Sequence, residues 1–275
     1  MATLLSNLFG PRSLRTRVGL IAGLGAAAVL GAFLLPAIPQ SKRYHAFVDN
    51  RRMFGIPNFL DVASNAPFAF AGALGLWLLL RKRKGEPLDE GEKRAFSVLF
   101  TGSVLLSLGS GYYHLAPNNE RLVWDRLPMT IIFMSLFSIA IGERVDPKLG
   151  RSLLVPLLAA GAASVFYWRA TDDLRFYGLV QFYPAAAIPL MLLLLPARAT
   201  GTKYMVLALG AYGAAKASET FDTPIYYALG RTVSGHTLKH LFAAGSVYFL
   251  AKMAGERSPL QEPAPEAQVQ GEAAS

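Results

Sequence analysis

Apolar residues in this chain gather into long runs separated by short charged stretches. The runs cover residues 18–38, 59–80, 95–113, 122–141, 153–168, 176–195, 204–217 and 236–251. Runs of this kind are what a bilayer demands, since about 20 apolar residues of helix cross its hydrocarbon core. Pro156, Pro184 and Pro189 fall inside them, which packed membrane helices tolerate. Run 204–217 is the shortest and ends in Lys216 and Glu219. The pattern predicts an all-α, polytopic transmembrane bundle of about eight helices with brief connections.

Run 18–38 follows Arg12, Arg15 and Arg17, the basic start that a cleaved secretory signal also has. It is too long for a signal core, and Pro36-Ala37-Ile38-Pro39 is a poor cleavage site, so it reads as a retained helix. The segment from 255 to 275 is rich in Pro, Glu, Gln and Ala and reads as a disordered tail.

Composition agrees with a membrane protein. Charged residues make up 16% of the chain, below the roughly 25% of soluble domains, while 53% are hydrophobic. The net charge of +9 comes from basic residues beside the apolar runs, where they set topology and face anionic lipid. A nucleic-acid partner is not expected. Arg81-Lys82-Arg83-Lys84, then Arg144, Lys148 and Arg151, then Arg198 and Lys203 mark one face as cytoplasmic. Loop 42–52, with four Lys or Arg, opposes this, but the balance places both termini inside. With no cysteine, thiolate ligands and disulfides are excluded, and a metal must be held by histidine or oxygen.

That topology brings the chemically unusual residues to one level of the non-cytoplasmic face. Ser110 and His114 lie at the end of run 95–113, Asp125 opens run 122–141, and His236 and His240 open the last run. Ionisable groups inside a membrane protein are functional by default, because burying them unpartnered is expensive. His236 and His240 are four apart, hence on one helix face and about 6 Å apart along its axis. Three histidines with one water would make an open zinc site. Asp125 could then handle the water and Ser110 donate to an oxyanion. The plainer readings are a cap for His114, a helix N-terminal charge for Asp125 and a packing residue for Ser110. Gly102, Gly109 and Gly111 either leave room for a ligand or serve helix packing, and His45 reads as an ordinary loop residue.

Taken together, Gly109-Ser110-Gly111-Tyr112-Tyr113-His114, Val123-Trp124-Asp125-Arg126 and Ser234-Gly235-His236-Thr237-Leu238-Lys239-His240 resemble the motifs of the alkaline ceramidases. These belong to a seven-helix membrane hydrolase superfamily that includes the adiponectin receptors. Asp61-Val62-Ala63-Ser64-Asn65 is similar to the family's first core helix. The resemblance implies a seven-helix domain over 44–254, with one extra N-terminal transmembrane helix in 1–43. It also implies a zinc-dependent amidase cleaving the N-acyl bond of ceramide or a related N-acyl lipid. His114, His236 and His240 would be the ligands, and Asp125 and Ser110 the catalytic groups. The family's calcium site falls on Asp49, Asn50, Asn58 and Asp61, which offer oxygen ligands for Ca2+. Here the segment departs from the pattern, because Arg51 and Arg52 make it basic and Asn58 stands where the family has a glutamate. Two other classes fit the same histidines: a receptor-like membrane protein with a structural metal, and a bis-histidine haem protein.

Overall fold

The computed structural model describes residues 14–81, 88–258 and 260, and the statements below concern those residues. The architecture is an all-α helical bundle. Its helices are α1 (Leu14–Leu34), the pair α2 (Phe59–Ala63) and α3 (Ala66–Arg81), α4 (Glu90–Leu115), α5 (Asn119–Arg144) and α6 (Pro147–Thr171). These are followed by α7 (Arg175–Leu194), α8 (Thr202–Thr220), the short α9 (Asp222–Ala228) and α10 (Gly235–Glu256). Each apolar run of the sequence coincides with one of these helices or with the α2–α3 pair, except that residues 35–38 of the first run and Leu195 of the sixth lie beyond the ends of α1 and α7. Six spans are long and apolar enough to cross a membrane: α1, the α2–α3 pair, α4, α5, α6 and α7. The remaining two, α8 and α10, have 19 and 22 residues and carry the polar side chains described below.

Helix starts follow local chemistry. The side chains of Asn118, Asp146 and Ser234 accept from the backbone N–H groups of Arg121, Leu149 and Thr237, capping α5, α6 and α10. Helix α5 therefore begins well before its apolar run, and Asp125 lies in its second turn rather than at its start. Between α2 and α3 the helical ladder breaks at Ser64-Asn65. The Asn65 amide N–H turns to Val62, and the Asp61 carbonyl is instead taken by the side chains of Asn65 (2.7 Å) and Ser64 (3.3 Å).

The helices pack in the ring order α7, α6, α5, α4, α3, α10, α8. The ring closes only weakly, because α7 and α8 touch far less than any other consecutive long pair. Helix α1 lies outside the ring against α7 alone and keeps most of its side chains exposed. It is tied there by Arg17 to the Leu194 carbonyl, by Tyr183 to the Ile21 carbonyl, and by Arg175 to the carbonyls of Ala32 and Phe33.

Polar contacts at the end of the bundle remote from the histidines revise one topology marker. Arg144 is buried, paired with Glu143 at 3.0 Å and bonded to the Leu195 carbonyl and Thr202. It is an internal charge and not a free loop cation. Arg257, also buried, bridges Glu92 and Glu143. Gly255 and Glu256 still belong to α10, and Ser258 and Leu260 pair with the backbone of Thr200 and Arg198. Arg12, Lys82, Arg83, Lys84 and residues 261–275 of the tail lie outside the described residues.

The closest helix approach is at Gly109, where a Cβ would sit 2.0 Å from the Trp124 carbonyl oxygen on α5. Gly102 likewise meets Ile131, so both glycines serve α4–α5 packing, and neither lines a cavity. We expect Gly109→Ala to push α5 away and to destabilise the fold by roughly 1–3 kcal/mol, the usual range for overpacking. Thermal unfolding in detergent should show it as a lowered Tm, whereas Gly111→Ala, with open space around it, should leave Tm within a degree or two.

Candidate metal centre and adjoining cavity

His114 stands in the last turn of α4, and His236 and His240 in the first turns of α10. All three are buried, and one ligand nitrogen from each lies within 4.8 Å of the others. The Nε2 atoms of His114 and His236 are 3.4 Å apart. Among the described residues no other group of three or more His, Asp or Glu side chains converges in this way. The convergence expected from the sequence is present.

What the sequence did not disclose is how the rings are held. The Ser64 hydroxyl donates to the Asp61 carbonyl and stands 2.8 Å from His240 Nδ1. With its donor already committed, Ser64 accepts from Nδ1–H, which leaves the Nε2 lone pair of His240 directed at the cluster. The break in the α2–α3 helix is what presents Ser64 there. The N-terminus of α10 is fixed by Ser234 and by Asp222, whose carboxylate accepts from the His236 backbone N–H at 2.8 Å. Burial raises the Asp222 carboxyl, while the backbone N–H groups of His236, Val48 and Gly235 act to lower it. From the loop side, the Phe47 ring packs 4.7 Å from His114 and 4.5 Å from His236. Phe47 therefore shields the cluster from solvent on that side.

His45 is more than a loop residue. Its ring nitrogens meet the Tyr113 hydroxyl and the Asn119 amide oxygen, each at 2.9 Å, and so link the loop to the ends of α4 and α5.

Ser110 lies one turn before His114, with its side chain beside the buried Asp125 carboxylate. Both line a cavity of about 280 Å³ together with His240. The cavity continues between α5, α7, α8 and α10 past Ile132, Leu136, Ile188, Val247 and Leu250. From His240 to Leu250 is ten residues of α10, about 15 Å at 1.5 Å per residue. Its upper wall is charged: Lys239 and Lys216 both pair with Glu219, Lys239 at 2.6 Å. Arg126 sits against the rings of Trp168 (4.0 Å) and Tyr177 (4.6 Å) and donates to Gln40 at 2.6 Å. Lys239 was legible as an intramembrane lysine between two histidines, but its partner on α8 was not.

Much of the segment expected to supply calcium ligands is committed to other contacts, although Asp61 Oδ2 has no hydrogen-bond partner among the described residues. Both Asp49 oxygens take hydrogen bonds from Arg51 (2.8 and 2.7 Å). Asp61 accepts from Thr237 (2.7 Å) and Ser234 (3.4 Å), and Asn58 donates to the His114 carbonyl at 2.8 Å. Asn50 is exposed.

The three imidazoles meet the physical requirement of a metal site. One nitrogen of each converges on a common point, and one ring is oriented by an outer hydrogen bond, as ligating histidines usually are. The residues in place can therefore hold a metal ion. No family model, no curated protein and no solved structure matches this chain.

If the cluster binds metal, purified protein should carry about one ion per chain, and the His236→Ala, His240→Ala pair should abolish it. Ser64→Ala should keep the ion but weaken its affinity about 10- to 100-fold, the usual cost of losing an outer-shell partner. Elemental analysis and competition with a graded chelator measure both. A full complement of ion in the double variant would remove the site.

Proposed function

We propose that this chain is a zinc-dependent membrane amidase that cleaves the N-acyl bond of ceramide or a related N-acyl lipid. The observation that supports this most is one of proximity. A three-imidazole cluster adjoins a Ser110–Asp125 pair, and His240, Ser110 and Asp125 share the wall of a cavity that continues into apolar surroundings. The resemblance of the motifs to those of the alkaline ceramidases points the same way. A purely structural metal would need neither the carboxylate nor the apolar extension. Seven helices, α2–α3 to α8 with α10, form the catalytic bundle in this reading, and α1 is an addition outside it.

His114, His236 and His240 would hold the ion. Zinc, when bound there, supplies Lewis acidity and a water acidic enough to ionise near pH 7. Asp125 accepts the proton of the attacking water and returns it to the departing amine. Ser110, beside Asp125 at the cavity wall, turns its one hydroxyl proton to the oxyanion that develops on the amide oxygen. The apolar part of the cavity receives the acyl chain, and the weak α7–α8 seam is the route by which a lipid reaches it sideways. Phe47 keeps bulk water from the loop side.

Asp125→Asn and Ser110→Ala should retain zinc and lose rate. Removing one oxyanion donor costs about 100- to 1,000-fold, and the aspartate change should cost at least as much. Release of fatty acid from N-acyl lipids in liposomes, with His114→Ala as control, measures this. Normal turnover by Asp125→Asn would assign the proton to another group, and hydrolysis of short soluble amides but never of N-acyl lipids would defeat the assignment.

The catalytic end should face the non-cytoplasmic side, with both termini inside. Single cysteines in this cysteine-free chain test it, since Glu120 and Lys148 are exposed at opposite ends of the bundle. An impermeant thiol reagent on intact cells should label Glu120→Cys and not Lys148→Cys. The reverse pattern would invert the orientation.

A further inference from the structure

The cavity wall holds a charge imbalance that the amidase chemistry does not use. Five acidic or basic side chains other than histidine and tyrosine border it: Asp125, Arg126, Lys216, Glu219 and Lys239. Three are cations and two are anions. Unmatched charge inside a membrane bundle is costly, and such residues pair with one another or with a ligand. Arg126 is accommodated by Gln40 and by the faces of Trp168 and Tyr177. Asp125 is engaged by Ser110. The two lysines, however, share a single carboxylate, that of Glu219.

An ammonium group has three donors. Lys239 places one on Glu219 at 2.6 Å and keeps 15% of its side-chain surface open, although it lies in the second turn of α10 beside His240. Lys216, 35% open, reaches the other oxygen of Glu219 and lies over the Phe182 ring at 5.6 Å. Both lysines line the cavity, on the α8 and α10 walls of the compartment whose α4 and α5 walls carry Ser110 and Asp125. Below this level the wall becomes apolar, and the whole space amounts to about 280 Å³, the small end of ligand-pocket volumes. Its shape and charge fit one hydrocarbon chain beneath one compact anion.

We propose that Lys216 and Lys239, held apart by Glu219, form an anion-binding subsite, and that the substrate is a single-chain N-acyl lipid with a carboxylate on its amine portion. The inference rests on the amidase reading and narrows it from N-acyl lipids in general to N-acyl amino acids. The acyl chain lies along the apolar face of α10, the amide sits at the Ser110–Asp125 level, and the carboxylate bridges the two ammonium groups. Charge-assisted bonds of this type are about twice as strong as neutral ones. A neutral head of the same size would leave the lysine donors unanswered.

Equilibrium binding to the purified full-length protein in lipid nanodiscs tests this, with N-palmitoylglycine, its methyl ester and palmitate as probes. N-palmitoylglycine should bind at least tenfold more tightly than the ester, and Lys239→Gln should erase most of that preference. Lys216→Gln, at the more open position, should halve it or more and serves as the second variant. Equal binding of acid and ester by the wild-type protein would overturn the subsite. Palmitate binding as tightly as N-palmitoylglycine would also overturn it, because the lysines would then be reading the released acid. Charge preference without fatty-acid release would preserve the subsite and remove the amidase reading. Release from acid and ester at equal efficiency would remove the subsite alone.

Discussion

Three imidazoles brought into contact inside an apolar bundle are an electrostatic demand on the rest of the structure. A neutral imidazole offers one donor and one acceptor. Ser64 takes the donor of His240, and His114 Nδ1 has no hydrogen-bond partner among the described residues. The ring centroids of His114, His236 and His240 lie 4.8 to 4.9 Å apart, so their neighbouring nitrogens are satisfied either by an N–H of one ring donating to the next or by a shared cation. Much of the nearby architecture keeps these rings in place. The α2–α3 break delivers Ser64, Ser234 and Asp222 fix the first turn of α10, and Gly109 lets α5 approach closely enough for Asp125 to reach Ser110.

The parts of this arrangement that depend on spacing along one helix were legible in the sequence. The apolar runs locate the helices, the four-residue spacing of His236 and His240 puts both on one face, and Ser110 and His114 have the same relation. The fold class followed from the runs alone. Parts that depend on which helix faces which were not legible. Nothing local shows that Ser64 meets a histidine 176 positions later, that Lys239 finds Glu219, or that Arg144 turns inward to Glu143. Arg144 shows why a charge count misleads at helix ends, since a terminal arginine is either solvated or internal according to its neighbours. The basic loop 42–52 is a second case. Arg51 is occupied by Asp49 and by the Thr232 carbonyl, so part of that positive charge is structural.

Charge is also distributed unevenly along the bundle axis. At the end remote from the histidines, Glu92, Glu143, Arg144 and Arg257 form a buried network joining α4, α5 and α10. At the histidine end, Lys216, Glu219 and Lys239 join α8 to α10 only. The first network ties the end of α10 to α4 and α5, helices that it otherwise touches little. The second leaves α7 without an ionic tie to α8, and the polar contacts across that seam are the bond between Gln181 and Tyr212 at 3.2 Å and Lys216 over the Phe182 ring at 5.6 Å. Helix α7 is held instead on its other sides, by α5, by α6 and by α1. Opening the seam therefore breaks one neutral hydrogen bond, worth about 0.5–1.5 kcal/mol net, and one cation–π contact, whereas parting α4 from α5, α5 from α6 or α8 from α10 separates extensive packing. The ring of helices is weakest beside its cavity.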